Sequence, residues 1–223
     1  HPEAPFFVWV HLYDAHDPYD PPAPFKEKYA SKLYDGEIAY VDSVLGKLFS
    51  ELKKHGLFDE TLIAVTADHG ESLGAHGEST HGIFLYDETL HVPLFIKRPL
   101  NRSAGQRVDA RVRLVDVAPT LLEEAGVTIP KEMQGESLES LMKTAPAAAG
   151  RVPSKSTAAA GENENDARLD RAAYAETDYP HRAFGWSSLR ALRTGKYLYI
   201  QAPERELYNQ STDDKAAQNL VPS

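Results

Sequence analysis

Two short apolar runs in this chain each end in a cluster of Asp and His. Phe6-Phe7-Val8-Trp9-Val10-His11-Leu12-Tyr13 leads into Asp14-Ala15-His16-Asp17-Pro18-Tyr19, and Leu62-Ile63-Ala64-Val65 leads into Thr66-Ala67-Asp68-His69-Gly70-Glu71. Short runs rich in β-branched and aromatic residues suit buried strands. In parallel α/β sheets ligands bind outside the carboxyl ends of the strands. Adjacent Asp68 and His69 would offer a divalent cation one hard oxygen and one borderline nitrogen there. Taken alone, the pair reads equally well as an Asp capping a turn beside a surface His. The next stretch, Glu71 to Gly82, adds His76, His81 and further glycines with little apolar content. Long loops of this kind in compact domains are commonly functional. The two strand ends are therefore expected to converge at one sheet edge, with Asp68, His69 and His16 turned to one cavity.

The rest of the chain supplies the elements around such a sheet. Pro18 to Pro24 contains four prolines and reads as an extended loop. Asp35 to His55 reads as an amphipathic helix with Ile38, Val41, Leu45, Leu48, Phe49 and Leu52 on one stripe and Gly56 as its stop. Asp35, Glu37 and Asp42 near its start suit the helix dipole. Pro93 to Lys97 is a further strand. Asp116 is placed as the N-cap of a helix running to Gly126, which gives its carboxylate a structural role. Thr144 to Asp166 is rich in Ala, Gly, Ser and Pro and reads as a linker or insertion. Tyr174 to Ile200 has short aromatic and aliphatic runs broken by Pro180, Gly185 and Gly195, which suggests a small antiparallel sheet. The expected organisation is residues 1–143 as α/β core, 144–168 as flexible linker or insertion, and 169–223 as a small C-terminal β subdomain.

With 223 residues, 42% of them hydrophobic and 26% charged, the chain can bury one sizeable core. A net charge of −9 argues against nucleic acid as a partner. It also gives no long-range attraction for an anionic substrate, so an anion must be held locally. No apolar run is long enough to span a bilayer, and no signal-peptide pattern is present. The absence of Cys fits any compartment. Asn101-Arg102-Ser103 and Asn209-Gln210-Ser211 match the glycosylation pattern, which arises often by chance.

Several motifs in order give the chain a family resemblance. They are Phe6 to Tyr19 with its His-x-Pro-Tyr ending, Tyr34-Asp35-Gly36-Glu37-Ile38-Ala39-Tyr40-Val41-Asp42, and Thr66 to Gly74. Phe84 to Thr89, Val92-Pro93, Val115 to Leu122, Gln134 to Leu138 and Glu206 to Asn209 follow. Together they resemble bacterial sulfatase-like hydrolases of the alkaline phosphatase superfamily, over nearly the whole chain apart from a stretch near its middle. The resemblance implies an α/β fold with a mostly parallel sheet flanked by helices and a small C-terminal antiparallel β subdomain. It implies hydrolysis of a sulfate ester, on an anionic small molecule or a sulfated sugar, in a periplasmic or extracellular setting. Two other functions stay open: phosphonate monoester, phosphodiester or phosphotransferase chemistry on the same frame, and a non-catalytic metal-binding relative.

The same resemblance assigns roles. Asp68 and His69 become ligands of one divalent metal, Ca, Mn or Mg; where many sulfatases have Asn after this Asp, His69 favours Mn or another borderline ion. His16 matches the family histidine at the sulfate and the leaving-group oxygen, a role imidazole suits because small pKa shifts let it donate near neutrality. His81 lies where many relatives place a substrate-contacting Lys, and would have to be protonated to replace it. Glu71 is a candidate to orient His69, with His76, His11, Arg182 and Arg190 as weaker candidates. The family nucleophile, a formylglycine made from Cys or Ser in a Cys/Ser-x-Pro/Ala-x-Arg motif, has no match. Ser103-Ala104-Gly105-Gln106-Arg107 has Gly where Pro or Ala belongs and lies downstream of Asp68. With a first residue other than Met, the chain is expected to be the C-terminal part of such a domain, truncated on its N-terminal side and inactive alone.

Overall fold

A computed structural model of the chain describes residues 4–144 and 170–222. The linker expected over 144–168 falls outside these residues except for Thr144, the last residue of a helix. The chain forms two compact units, His1–Thr61 and Leu62–Ser223.

In the first unit, α1 (Phe25–Lys28) and α2 (Leu33–Lys54) follow the proline-rich loop. α2 has no side-chain cap at its start, and it stops where expected. Gly56 takes φ +68, its N–H bonds the Lys53 carbonyl, and the Leu57 N–H bonds that of Leu52. This left-handed closure satisfies carbonyls the helix would otherwise leave open. The stripe expected to be buried remains partly exposed at Ile38 and Leu48. What α2 buries fully is Gly36 and Glu37, at the end of its first turn. The dipole reading of Glu37 is thereby corrected, because its carboxylate is enclosed and accepts the Asp20 N–H at 2.7 Å.

The strand expected over Phe6 to Tyr13 does not form among the described residues. A strand is defined by its pairing, and no described segment pairs with this one. Its side chains are correspondingly open, Phe7 and Trp9 each at 80%.

In the second unit, β1 (Ile63–Thr66) matches the expected second strand and β2 (Leu94–Lys97) the third. They pair antiparallel, from Ile63 opposite Lys97 to Thr66 opposite Leu94. β3 (Ala173–Thr177), β4 (Leu189–Thr194), β5 (Tyr197–Gln201) and β6 (Glu206–Asn209) form an antiparallel meander in that order. This is the small C-terminal sheet read from the sequence. Gly195, at φ +51, opens the two-residue turn between β4 and β5, where hairpins need a left-handed residue. Both described sheets are antiparallel; the mostly parallel sheet implied by the resemblance is not among the described pairings.

A hydrophobic core cluster in this unit joins Leu189, Ala191, Leu198, Ile200 and Tyr208 from the meander with Leu85 and Ala216. Phe84, Tyr86 and Leu90 pack against it. The segment between β1 and α3 (Asp87–Leu90) is thus anchored on the C-terminal sheet.

A second anchor is polar. Asp116 ends a short 3-10 turn and precedes α4 (Val117–Glu124). Its carboxylate does not cap α4 as expected. It turns back to accept the Arg113 N–H and guanidinium, the Glu136 N–H and Arg171 just before β3. Burial alone would raise its pKa, but these bonds from Arg113, Glu136 and Arg171 outweigh it and hold the carboxyl below its ordinary value. Gly135 makes the approach feasible, since a Cβ there would stand 1.8 Å from the Val115 carbonyl oxygen.

Candidate active-site loop between β1 and α3

Asp68 and His69 lie just past the end of β1. The Asp68 carboxylate accepts the His69 N–H at 3.1 Å and is otherwise open, its side chain 85% exposed. His69 Nδ1 stands 2.9 Å from the Gly70 carbonyl oxygen. A carbonyl only accepts, so Nδ1 carries the proton and Nε2 of the neutral ring keeps a lone pair. That nitrogen is 3.9 Å from Asp68 Oδ1.

Gly70 fixes this pair against α3. Its N–H donates to the Thr89 carbonyl at 2.8 Å. A Cβ at position 70 would lie 2.1 Å from the Glu88 carbonyl oxygen, so only glycine fits without movement.

His81 returns to the same place from the far end of the loop. Its ring stacks on His69 with centroids 3.9 Å apart and 29° between planes. Its Nδ1 meets the Glu71 carboxylate at 3.2 Å, and the Glu71 side chain is almost fully buried. Glu71, expected beside His69, partners His81 instead. Gly82 follows at φ +100, and its carbonyl accepts Thr177 Oγ1 from the end of β3 at 2.6 Å.

The residue that closes the loop is one the sequence reading missed. Glu78, 2% exposed, accepts the N–H groups of Ile83 and Phe84 at 2.6 and 3.2 Å and the Ser72 hydroxyl at 3.3 Å. A Gly-rich, His-rich loop gives no periodic signal for a buried acid. The spacing to Ile83 and Phe84 becomes a clue only once the turn is known.

His76 has a packing role. It stacks on Tyr86 at 3.6 Å, and its Nε2 is 3.9 Å from Glu88. Arg182 pairs with Asp178 at 2.6 Å on the surface, and Arg190 lies on β4 opposite Glu176. In the first unit His11 is exposed. His16 stacks on Tyr13 with centroids 4.7 Å apart; its Nδ1 is 2.7 Å from the Asp17 carbonyl oxygen and 3.1 Å from the Tyr13 hydroxyl. Asp68, His69 and His81 are thus brought together in one unit, while His16 belongs to the other. Among the described residues no group of three or more His, Asp or Glu side chains is arranged to hold a metal ion. Asp68 and His69 supply two donors of a suitable kind.

The fold and this loop place the chain among the hydrolases of the alkaline phosphatase superfamily. Within it the chain belongs to the sulfatase family, which it matches over residues 1–127. It is 37% identical to arylsulfatase K of Xenopus laevis over 54% of this chain and 23% of that protein. It is 38% identical to an N-acetylglucosamine-6-O-sulfatase of Bacteroides thetaiotaomicron over 49% of this chain and 20% of that one. The chain therefore spans about a fifth to a quarter of these relatives' length. Among solved structures it is similar to BT4656 in complex with its substrate D-glucosamine-2-N,6-O-disulfate, with TM-score 0.62, 27% identity and coverage of 91% of this chain and 39% of that one. It is also similar to the phosphonate monoester hydrolase of Agrobacterium radiobacter, with TM-score 0.65, 26% identity and coverage of 85% and 36%. No helix among the described residues is long and apolar enough to cross a membrane.

Proposed function

We propose that the protein hydrolyses sulfate esters at a site where Asp68 and His69 hold one divalent metal, with a sulfated sugar or aryl sulfate as substrate. The observation that carries this reading is the paired arrangement after β1. Asp68 is open, His69 has its proton committed to Gly70 and its Nε2 available, and His81 stacks on the same ring. When bound, a divalent ion would neutralise sulfate oxygens and hold a nucleophile in place. The mixed oxygen and nitrogen donors suit Mn best, with Mg or Ca as the other candidates.

The chain's own residues do the rest. His81, steadied by the buried Glu71, stands beside His69 and takes the role of anion contact. His16 takes the role of leaving-group acid. Its Nδ1 is held by the Asp17 carbonyl, so the protonated ring delivers a proton from Nε2 to the departing alkoxide oxygen. These 223 residues contain no Cys, so a formylglycine made from Cys would have to come from outside them.

The test is metal content and turnover together. Asp68→Ala and His69→Ala are expected to lose bound metal and sulfate-ester hydrolysis in parallel. Full metal occupancy in either variant would remove the ligand assignment. A second reading, phosphonate monoester hydrolysis, has support from the similarity to the Agrobacterium structure. Matched aryl sulfate and phenyl phosphonate monoesters decide between them by the ratio of kcat/KM.

A further inference from the structure

We propose that Glu37, near the start of α2, is a positioning residue for His16: its buried carboxylate holds the backbone of the 16–20 loop and so fixes where the imidazole stands. This rests on the reading of His16 as the leaving-group acid.

Glu37 is 3% exposed. Oε1 accepts the Asp20 N–H at 2.7 Å. Oε2 is also buried and completes no hydrogen bond among the described residues. Burial pushes the Glu37 pKa up, as does the charge of Asp14, while the backbone N–H groups of Asp20 and His16 face the carboxylate and favour its charged form. No ion pair of Glu37 with a Lys, Arg or His is present among the described residues. A buried acid with no cation is costly compared with a neutral amide. Two converging backbone N–H groups give a reason for the acid.

The surrounding packing is as tight as positioning requires. Pro21 is fully buried, and a Cβ at Gly36 would stand 2.9 Å from its Cγ and 3.1 Å from Tyr29 Cβ. The helix start can therefore approach the loop only because position 36 is glycine. At the other end the ring is tied to the loop through Asp17 and Tyr13. Ring to loop and loop to carboxylate form one chain of contacts, and a displacement of the loop moves Nε2.

The experiment is a double-mutant cycle in the active protein, read over sulfate esters of graded leaving-group pKa. Glu37→Gln keeps the carbonyl acceptor for Asp20 and removes the negative charge that the His16 and Asp20 N–H groups favour. It is expected to lower kcat by about 100-fold for poor leaving groups, the scale of a 1 Å misplacement, with little change in KM and a much smaller loss for activated aryl esters. His16→Ala should show the same dependence, and the double variant should be no slower than His16→Ala alone. Equal losses across the series with additive effects would overturn the proposal. Hydrogen exchange at the His16 amide separates this inference from the acid reading. If His16→Ala shows no leaving-group dependence, the acid role falls. Faster exchange in Glu37→Gln would still support positioning, and unchanged exchange would refute it. Should Glu37→Gln fail to fold, Glu37→Asp, which keeps the charge and shortens the reach, goes through the same cycle with the same expectations.

Discussion

At the scale of single residues, the site depends on what cannot be added. Gly70 sets the position of His69 because a Cβ there would stand 2.1 Å from the Glu88 carbonyl oxygen. Gly70→Ala must push the loop from α3 by more than a bond's tolerance, and misplacements near 1 Å cost about 100-fold in rate. The expected result is a loss of that size in kcat/KM, with weaker metal retention and a folded circular-dichroism spectrum. Wild-type turnover by Gly70→Ala would mean that the contact with α3 has no part in placing His69. Gly74 offers the control, because nothing lies within 4 Å of a Cβ there, although its φ of +95 adds backbone strain of its own.

At the scale of elements, Asp116 joins three pieces that are far apart in sequence. It bonds the 3-10 turn through Arg113, the Gly135 loop through the Glu136 N–H, and the approach to β3 through Arg171. Thr120, also fully buried, extends the junction by donating to the Asp116 carbonyl and accepting the Leu138 N–H. Asp116→Asn removes the carboxylate paired with Arg113 and one of the two that Arg171 meets, Glu136 being the other, and is expected to cost about 3–5 kcal/mol in denaturant unfolding. Because the folded carboxyl lies below its ordinary value of 3.8, the stability it contributes is present above that value. It is lost as pH falls through the depressed folded value. Wild type should therefore destabilise more steeply than Asp116→Asn on acidification through this range. Parallel acid profiles would show that the carboxylate does not carry the linkage.

At the scale of the whole molecule, the end of the loop between β1 and α3 and the C-terminal sheet share one core. Leu85, near the loop's end, packs in the cluster with Leu198 and Ile200, and Tyr86 and Tyr208 both donate to one Glu206 oxygen. Burial and the Glu206 charge push both phenols up, Tyr208 to about 12, so neither ionises at physiological pH. Leu198→Ala, at a position 1% exposed, is expected to cost about 2–5 kcal/mol. It should raise hydrogen exchange in residues 84–90 together with β4 and β5. Exchange that rises in the sheet alone would show that the loop's end is stabilised independently.

The sequence by itself determined the features that are local. Asp68 and His69 are neighbours in the chain, so their pairing after an apolar strand is legible wherever the strand packs. The stop at Gly56 depends only on left-handed backbone freedom, and the meander from β3 to β6 on short runs separated by turn residues. Tertiary structure decided whatever depends on burial and on partners distant in the chain. It took a helix-start acid, Glu37, and enclosed it under a loop seventeen residues earlier. It turned Asp116 away from its own helix towards Arg171, 55 residues on. It gave Glu71 to His81 in place of His69. The run Phe6 to Tyr13 marks the limit most plainly. Composition can favour an extended backbone, but strand pairing takes a second segment, and which segment supplies it is a property of the fold.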